Sequence, residues 1–75
     1  MKSTYTDKYR QLLIALVTAR KQSGLTQADL ALRLGRPQSF VSKFENGERR
    51  LDVIEFVELC GHFGVDPATL LDKLC

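Results

Sequence analysis

The sequence predicts an all-α fold: a compact cluster of five short helices. Three observations carry this prediction. Apolar residues recur at i, i+3, i+4 and i+7 spacing along most of the 75 residues, while β-branched residues are too scattered to build alternating strands. Stop signals recur at short intervals, at Ser23-Gly24, Gly35, Asn46-Gly47 and Gly64. Capping residues, among them Thr26, Asp52 and Asp66, stand just ahead of the apolar stripes that follow.

The first helix is expected at about 7–22, with Tyr9, Leu12, Leu13, Leu16 and Val17 on one stripe and Arg20 and Lys21 suiting the negative end of its dipole. The second, at about 26–34, opens on Thr26 and Asp29, which have capping-box spacing, and buries Leu30, Ala31 and Leu34. Arg36-Pro37 opens the third, at about 37–45, because proline's missing N–H has no helical partner in a first turn. Glu48-Arg49-Arg50 is a polar loop. Asp52, with Glu55 three residues on, caps the fourth, at about 52–63, whose expected core stripe is Val53, Phe56, Val57, Cys60 and Phe63. Asp66-Pro67 opens the fifth, at about 67–74, which carries Leu70, Leu71 and Leu74. Such short helices and loops favour a globular cluster with angled crossings over an elongated bundle.

Size and composition bound what the chain does. At this length the expectation is one domain over 1–75, burying roughly 60% of its unfolded surface. The longest apolar run, residues 12–17, is six long. A bilayer span needs about 20 residues, so neither a membrane segment nor a signal-peptide core is expected. Two cysteines make no disulfide framework, and the expected setting is reducing and cytoplasmic. Net charge is +2 but split. Residues 1–51 hold ten Lys or Arg against four Asp or Glu, a net +6, and residues 52–75 hold one against five, a net −4. The basic part suits a polyanion, and the acidic part should face away from it.

Residues 27–44 place a short helix, a turn with glycine and a second short helix in succession. Ala31 is small enough to let the two helices cross closely, and Gly35 accepts the positive φ of the turn. Leu30, Leu34, Val41 and Phe44 lock the pair. By its mechanics this is a helix-turn-helix. On a helix of 100° per residue with Gln38 at zero, Val41 and Phe44 fall at about 300° and 240°, toward the core. Ser42, Asn46, Ser39 and Lys43 fall at about 40°, 80°, 100° and 140°, opposite the core. The outward face is therefore Gln38, Ser39, Ser42, Lys43 and Asn46, with no carboxylate to repel phosphate. Gln38, Ser39, Ser42 and Lys43 are the expected base contacts: glutamine pairs bidentately with adenine, and lysine reaches guanine or a phosphate. Phe40, at about 200°, is open between half-core packing and contact with a thymine methyl. Asn46, Arg49 and Arg50 follow this helix as expected phosphate contacts, whereas Arg33 and Arg36 read equally well as solubilising charges.

The stretches GLTQADLALRLG and PQSFVSKFENGER resemble the lambda-type phage repressors and Cro proteins, the xenobiotic-response-element family of bacterial regulators. The resemblance covers roughly residues 8–71 and rests on Gln27, Ala31, Gly35, Val41 and Glu45-Asn46-Gly47 at these spacings. It implies a five-helix DNA-binding domain that acts as a dimer on a palindromic operator. It also implies a phosphate contact for Gln27, at the N-terminus of the second helix. The sequence departs from the family at Arg36 and Pro37, where relatives often carry an apolar residue and a Ser or Thr cap.

Arg20 lies in line with Leu13 and Leu16, where a charge must be paired. Glu45 is the single acid of the third helix. Pairing the two resolves both, and the resemblance implies the same link. A dimer surface should lie away from the basic face and be partly apolar, which points to Leu70, Leu71 and Leu74, flanked by Ile54 and Leu59 off the main stripe of the fourth helix.

Other classes fit less well. The single histidine, His62, has no converging acid, base or nucleophile, so an enzyme is not expected. Cys60, His62 and Cys75 match no standard zinc spacing and lack a fourth ligand. Cys60 reads as a small core residue, and Cys75 as free or as a partner in an intermolecular disulfide. No cofactor, metal, membrane or small-molecule partner is expected. The rival reading is a protein-interaction module, an antitoxin or adaptor on the same fold, which would not need an acid-free outward face. Within the regulator reading, Met1 and a helix ending near Leu74-Cys75 favour a stand-alone repressor or controller protein.

Overall fold

Thr6 accepts a hydrogen bond from the backbone N–H of Tyr9 and starts helix α1, Asp7–Gln22. In this computed structural model, which describes residues 6–74, four further helices follow: α2 (Gln27–Leu34), α3 (Gln38–Glu45), α4 (Val53–Phe63) and α5 (Pro67–Asp72). Cys75 lies outside the described residues.

The caps explain the boundaries. Thr26 and Asp29 form a reciprocal capping box, each bond 3.0 Å, so Thr26 stands just outside α2. Pro37 is the cap of α3, not its first helical residue, and supplies no side-chain bond. Asp52 and Glu55 repeat the capping box at α4. Asp66 accepts from the N–H of Thr69 ahead of Pro67. The sequence runs α5 on to residue 74, but the helix ends at Asp72. Lys73 and Leu74 donate to the carbonyls of Leu70 and Leu71, three residues back, so the last turn tightens out of α geometry.

The core joins Leu13, Leu16 and Ala19 of α1, Leu30 and Ala31 of α2, and Phe40, Val41 and Phe44 of α3 to Phe56, Leu59, Cys60 and Phe63 of α4 and Leu70 of α5. Tyr9, Leu12 and Leu34 pack half-buried around it. The face of α4 differs from the expected one. Val53 and Val57 point outward with Ile54, while Leu59 is buried and Glu55 turns inward. Measured from Phe63, Leu59 is about 40° away around the helix and Val57 about 120°. Apolar residues flank the Phe56–Cys60–Phe63 stripe on both sides, and the pairing of Glu55 with arginines goes with the Leu59 side. Leu70, expected on a dimer surface, is in the protomer's own core at 4% exposure. Leu71 is exposed and Leu74 half-buried.

Candidate nucleic-acid interface

The helix-turn-helix is built from α2 and α3. Gly35 ends α2 at φ 69°, and the N–H of Arg36 reaches back to the carbonyl of Ala31 at 3.0 Å. That left-handed residue reverses the chain so that α3 crosses α2 with Leu30, Ala31, Val41 and Phe44 buried between them and the other helices.

A buried ion pair ties α3 to α1. Arg20 Nε donates to Glu45 Oε2 at 2.7 Å, and Nη2 donates to Oε1 at 3.1 Å. Both side chains are less than a tenth exposed. Arg20 Nη1 donates to the Leu25 carbonyl at 2.9 Å, and the Gln27 side-chain amide donates to Glu45 Oε1 at 2.9 Å. The cluster thus fixes the C-terminal end of α3 against both α1 and the start of α2. Gln27, expected at a phosphate, has its amide anchored at Glu45, a role the sequence reading missed.

Gln38, Ser39, Lys43 and Asn46 are exposed on α3 and its C-cap. Ser42 is half-buried, and its hydroxyl donates to the Ser39 carbonyl at 3.2 Å. Phe40 is core, 9% exposed, and packs on Phe44 at a centroid distance of 5.6 Å. That burial matches the core-packing reading of Phe40 and leaves little of the ring for a thymine methyl.

A second charged cluster has no counterpart in the sequence reading beyond a helix cap. Glu55 is 8% exposed. It accepts from Arg49 Nη1 at 2.9 Å and Nη2 at 3.0 Å, and Arg36 Nη1 lies 3.4 Å from its Oε2. The Arg36 and Arg49 guanidinium groups lie over the Phe40 ring, 4.4 and 4.8 Å from its centroid. Hydrogen bonding from Arg49, helped by the Asp52 N–H and the charges of both arginines, holds the Glu55 carboxyl below the ordinary carboxylate range against the opposing effect of burial. The bond to Glu55 likewise raises Arg49. Arg49, expected as a phosphate contact, has its guanidinium held by the Glu55 carboxylate. Arg50 stacks on Tyr9 at 4.4 Å, and the Tyr9 hydroxyl accepts from the Leu51 N–H.

The described residues contain no group of three or more His, Cys, Asp or Glu that could hold a metal ion. Burial pushes the Cys60 thiol up, consistent with a packing role. No helix among the described residues is long and apolar enough to cross a membrane.

The helix-turn-helix family HTH_3 matches residues 16–70. Among solved structures, the chain is similar to an XRE-family like protein from Pseudomonas syringae pv. tomato str. DC3000, with 60% identity and a TM-score of 0.86. That match covers 91% of this chain and 83% of the other. No curated protein matches. The matched span contains both helices of the motif, the buried Arg20–Glu45 pair and the outward face of α3, and the chain belongs to the XRE-type helix-turn-helix family of DNA-binding transcription regulators.

Proposed function

We propose that the protein binds double-stranded DNA sequence-specifically, as a homodimer on a palindromic operator, and regulates transcription in the cytoplasm as a repressor. The observation that carries this reading is the outward face of α3. Gln38, Ser39, Lys43 and Asn46 are exposed there with Ser42 among them, and the helix's single acid is turned inward onto Arg20. A helix laid in the major groove needs hydrogen-bonding side chains of moderate length on such a face. Gln38, Ser39, Ser42 and Lys43 take the base edges in this reading. Gln27, Asn46, Arg49 and Arg50 take phosphates, Gln27 using the amide proton that Glu45 leaves over.

The dimer surface is Leu71 and Leu74 with the outward residues of α4. Ile54 is 66% and Val57 48% exposed, so these large apolar side chains are left to solvent in the protomer. Leu70 and Leu59, both buried in the protomer's own core, drop out of that surface.

The test is titration of a labelled random duplex at several salt concentrations, followed by selection of bound fragments. The reading predicts affinity that falls steeply with salt and a selected sequence with two-fold symmetry. Salt-independent binding, or no enrichment, contradicts it.

A further inference from the structure

We propose that Arg36 and Arg49 form a preset phosphate clamp at the edge of the recognition face, with Glu55 as its positioning residue. This rests on the DNA-binding reading and adds to it a residue from α4, outside the helix-turn-helix.

The two arginines bracket α3 in sequence, Arg36 just before its cap and Arg49 just after its end. In space both guanidinium groups lie over the ring of Phe40. Phe40 sits about 60° around α3 from Lys43, so the pair stands beside the outward face. Two like charges over one ring repel, and the arrangement holds where a counter-charge offsets that repulsion. Glu55 supplies it, accepting two hydrogen bonds from Arg49 and meeting Arg36 at 3.4 Å. The carboxylate is almost wholly covered, whereas the arginine side chains remain 40% and 41% exposed. The Glu55 charge is therefore covered by the cations, and the three groups together carry a net +1, with the exposed Asp52 carboxylate also acting on Arg49.

A long arginine normally loses rotamer freedom when it grips a phosphate. Here ring stacking and the carboxylate fork have already imposed that loss during folding. The planar guanidinium keeps N–H donors on its outer edge for a second anion. A ligand with paired acceptor oxygens, the DNA backbone phosphate, fits these donors.

Two models of Glu55 predict opposite signs. If it only offsets charge, Glu55→Gln adds one positive charge, tightens binding to random duplex and steepens the salt dependence. If it positions the clamp, the same variant binds about 3- to 10-fold more weakly despite the added charge. Circular dichroism first establishes that the variant is folded at the assay temperature. Unchanged or tighter binding by folded Glu55→Gln overturns the proposal. Should Glu55→Gln not fold, Arg36→Ala decides, since Arg49 keeps its fork to Glu55. The clamp predicts a salt slope lower by about one and restoration of the slope, but not of full affinity, in Arg36→Lys. An unchanged slope in Arg36→Ala overturns it. Lys43→Ala run alongside separates the two readings. A wild type that binds no duplex sinks the DNA reading and the clamp together. A wild type whose operator preference depends on Lys43, beside an Arg36→Ala variant whose affinity and salt slope are unchanged, sinks the clamp alone.

Discussion

Glu45 ties α3 to α1 and to the start of α2, and Glu55 holds the two arginines that flank α3 in sequence. Removing the Glu45 carboxylate strands the Arg20 guanidinium among the core residues of α1, and breaking such a buried pair costs about 3–5 kcal/mol. Glu45→Ala should therefore melt well below the wild type, and a melting temperature equal to the parent's would refute the role of the pair. For Glu55 the consequence appears in pH. Its folded-state carboxyl is held below the ordinary value of 4.5. Its stabilising contribution is thus complete above that value and is lost as pH falls through the lower folded-state one. The gap in melting temperature between wild type and Glu55→Gln should narrow as pH falls below 4.5. A gap constant over that range contradicts the ion-pair account. The Arg20–Glu45 pair was legible because each charge sat alone where its helix should be apolar. The Glu55 cluster was not, because its capping-box spacing already accounted for the residue, and nothing in the sequence pattern says that one carboxylate both caps a helix and binds two arginines.

At the scale of the elements, the helix starts and the turn were legible because caps and glycines act locally. Gly35 and Gly61 test this directly. A Cβ at either position meets nothing within 4 Å, so space is not at issue. Gly35 has φ 69°, which an L side chain adopts at a cost of about 1–2 kcal/mol. Gly61 lies inside α4, where Ala is preferred to Gly by about 0.5–1 kcal/mol. Gly35→Ala should lower stability in urea unfolding and Gly61→Ala raise it; the same sign for both would contradict the conformational argument. The rotation of α4 was not legible. Val57 and Leu59 are equally apolar candidates on either side of Phe56, Cys60 and Phe63, and a long-range contact of Glu55 accompanies the choice of Leu59. The end of α5 was missed for a related reason, since Leu74 continues the apolar spacing while the backbone has already left the helix.

Over the whole molecule, the charge split follows the elements along the chain, with the basic segments supplying α1 to α3 and the arginine loop and the acidic one α4 and α5, but Glu55 of α4 is set among Arg36 and Arg49 rather than away from them. One recognition helix reads too few base pairs for useful specificity, and a two-fold dimer places two of them one DNA turn, about 34 Å, apart. Sedimentation of the wild type and of Leu71→Glu, Leu74→Glu should show a dimer at micromolar concentration that the folded variant loses. A monomeric wild type at high micromolar concentration, or a variant that still dimerises, contradicts the proposed surface. The central claim, that the outward face of α3 reads base edges, is tested most directly by titrating wild type and Lys43→Ala against the selected operator and a random duplex at one salt concentration. The account predicts that Lys43→Ala loses about 1–3 kcal/mol on the operator and distinctly less on random DNA, and equal losses on the two duplexes would contradict it.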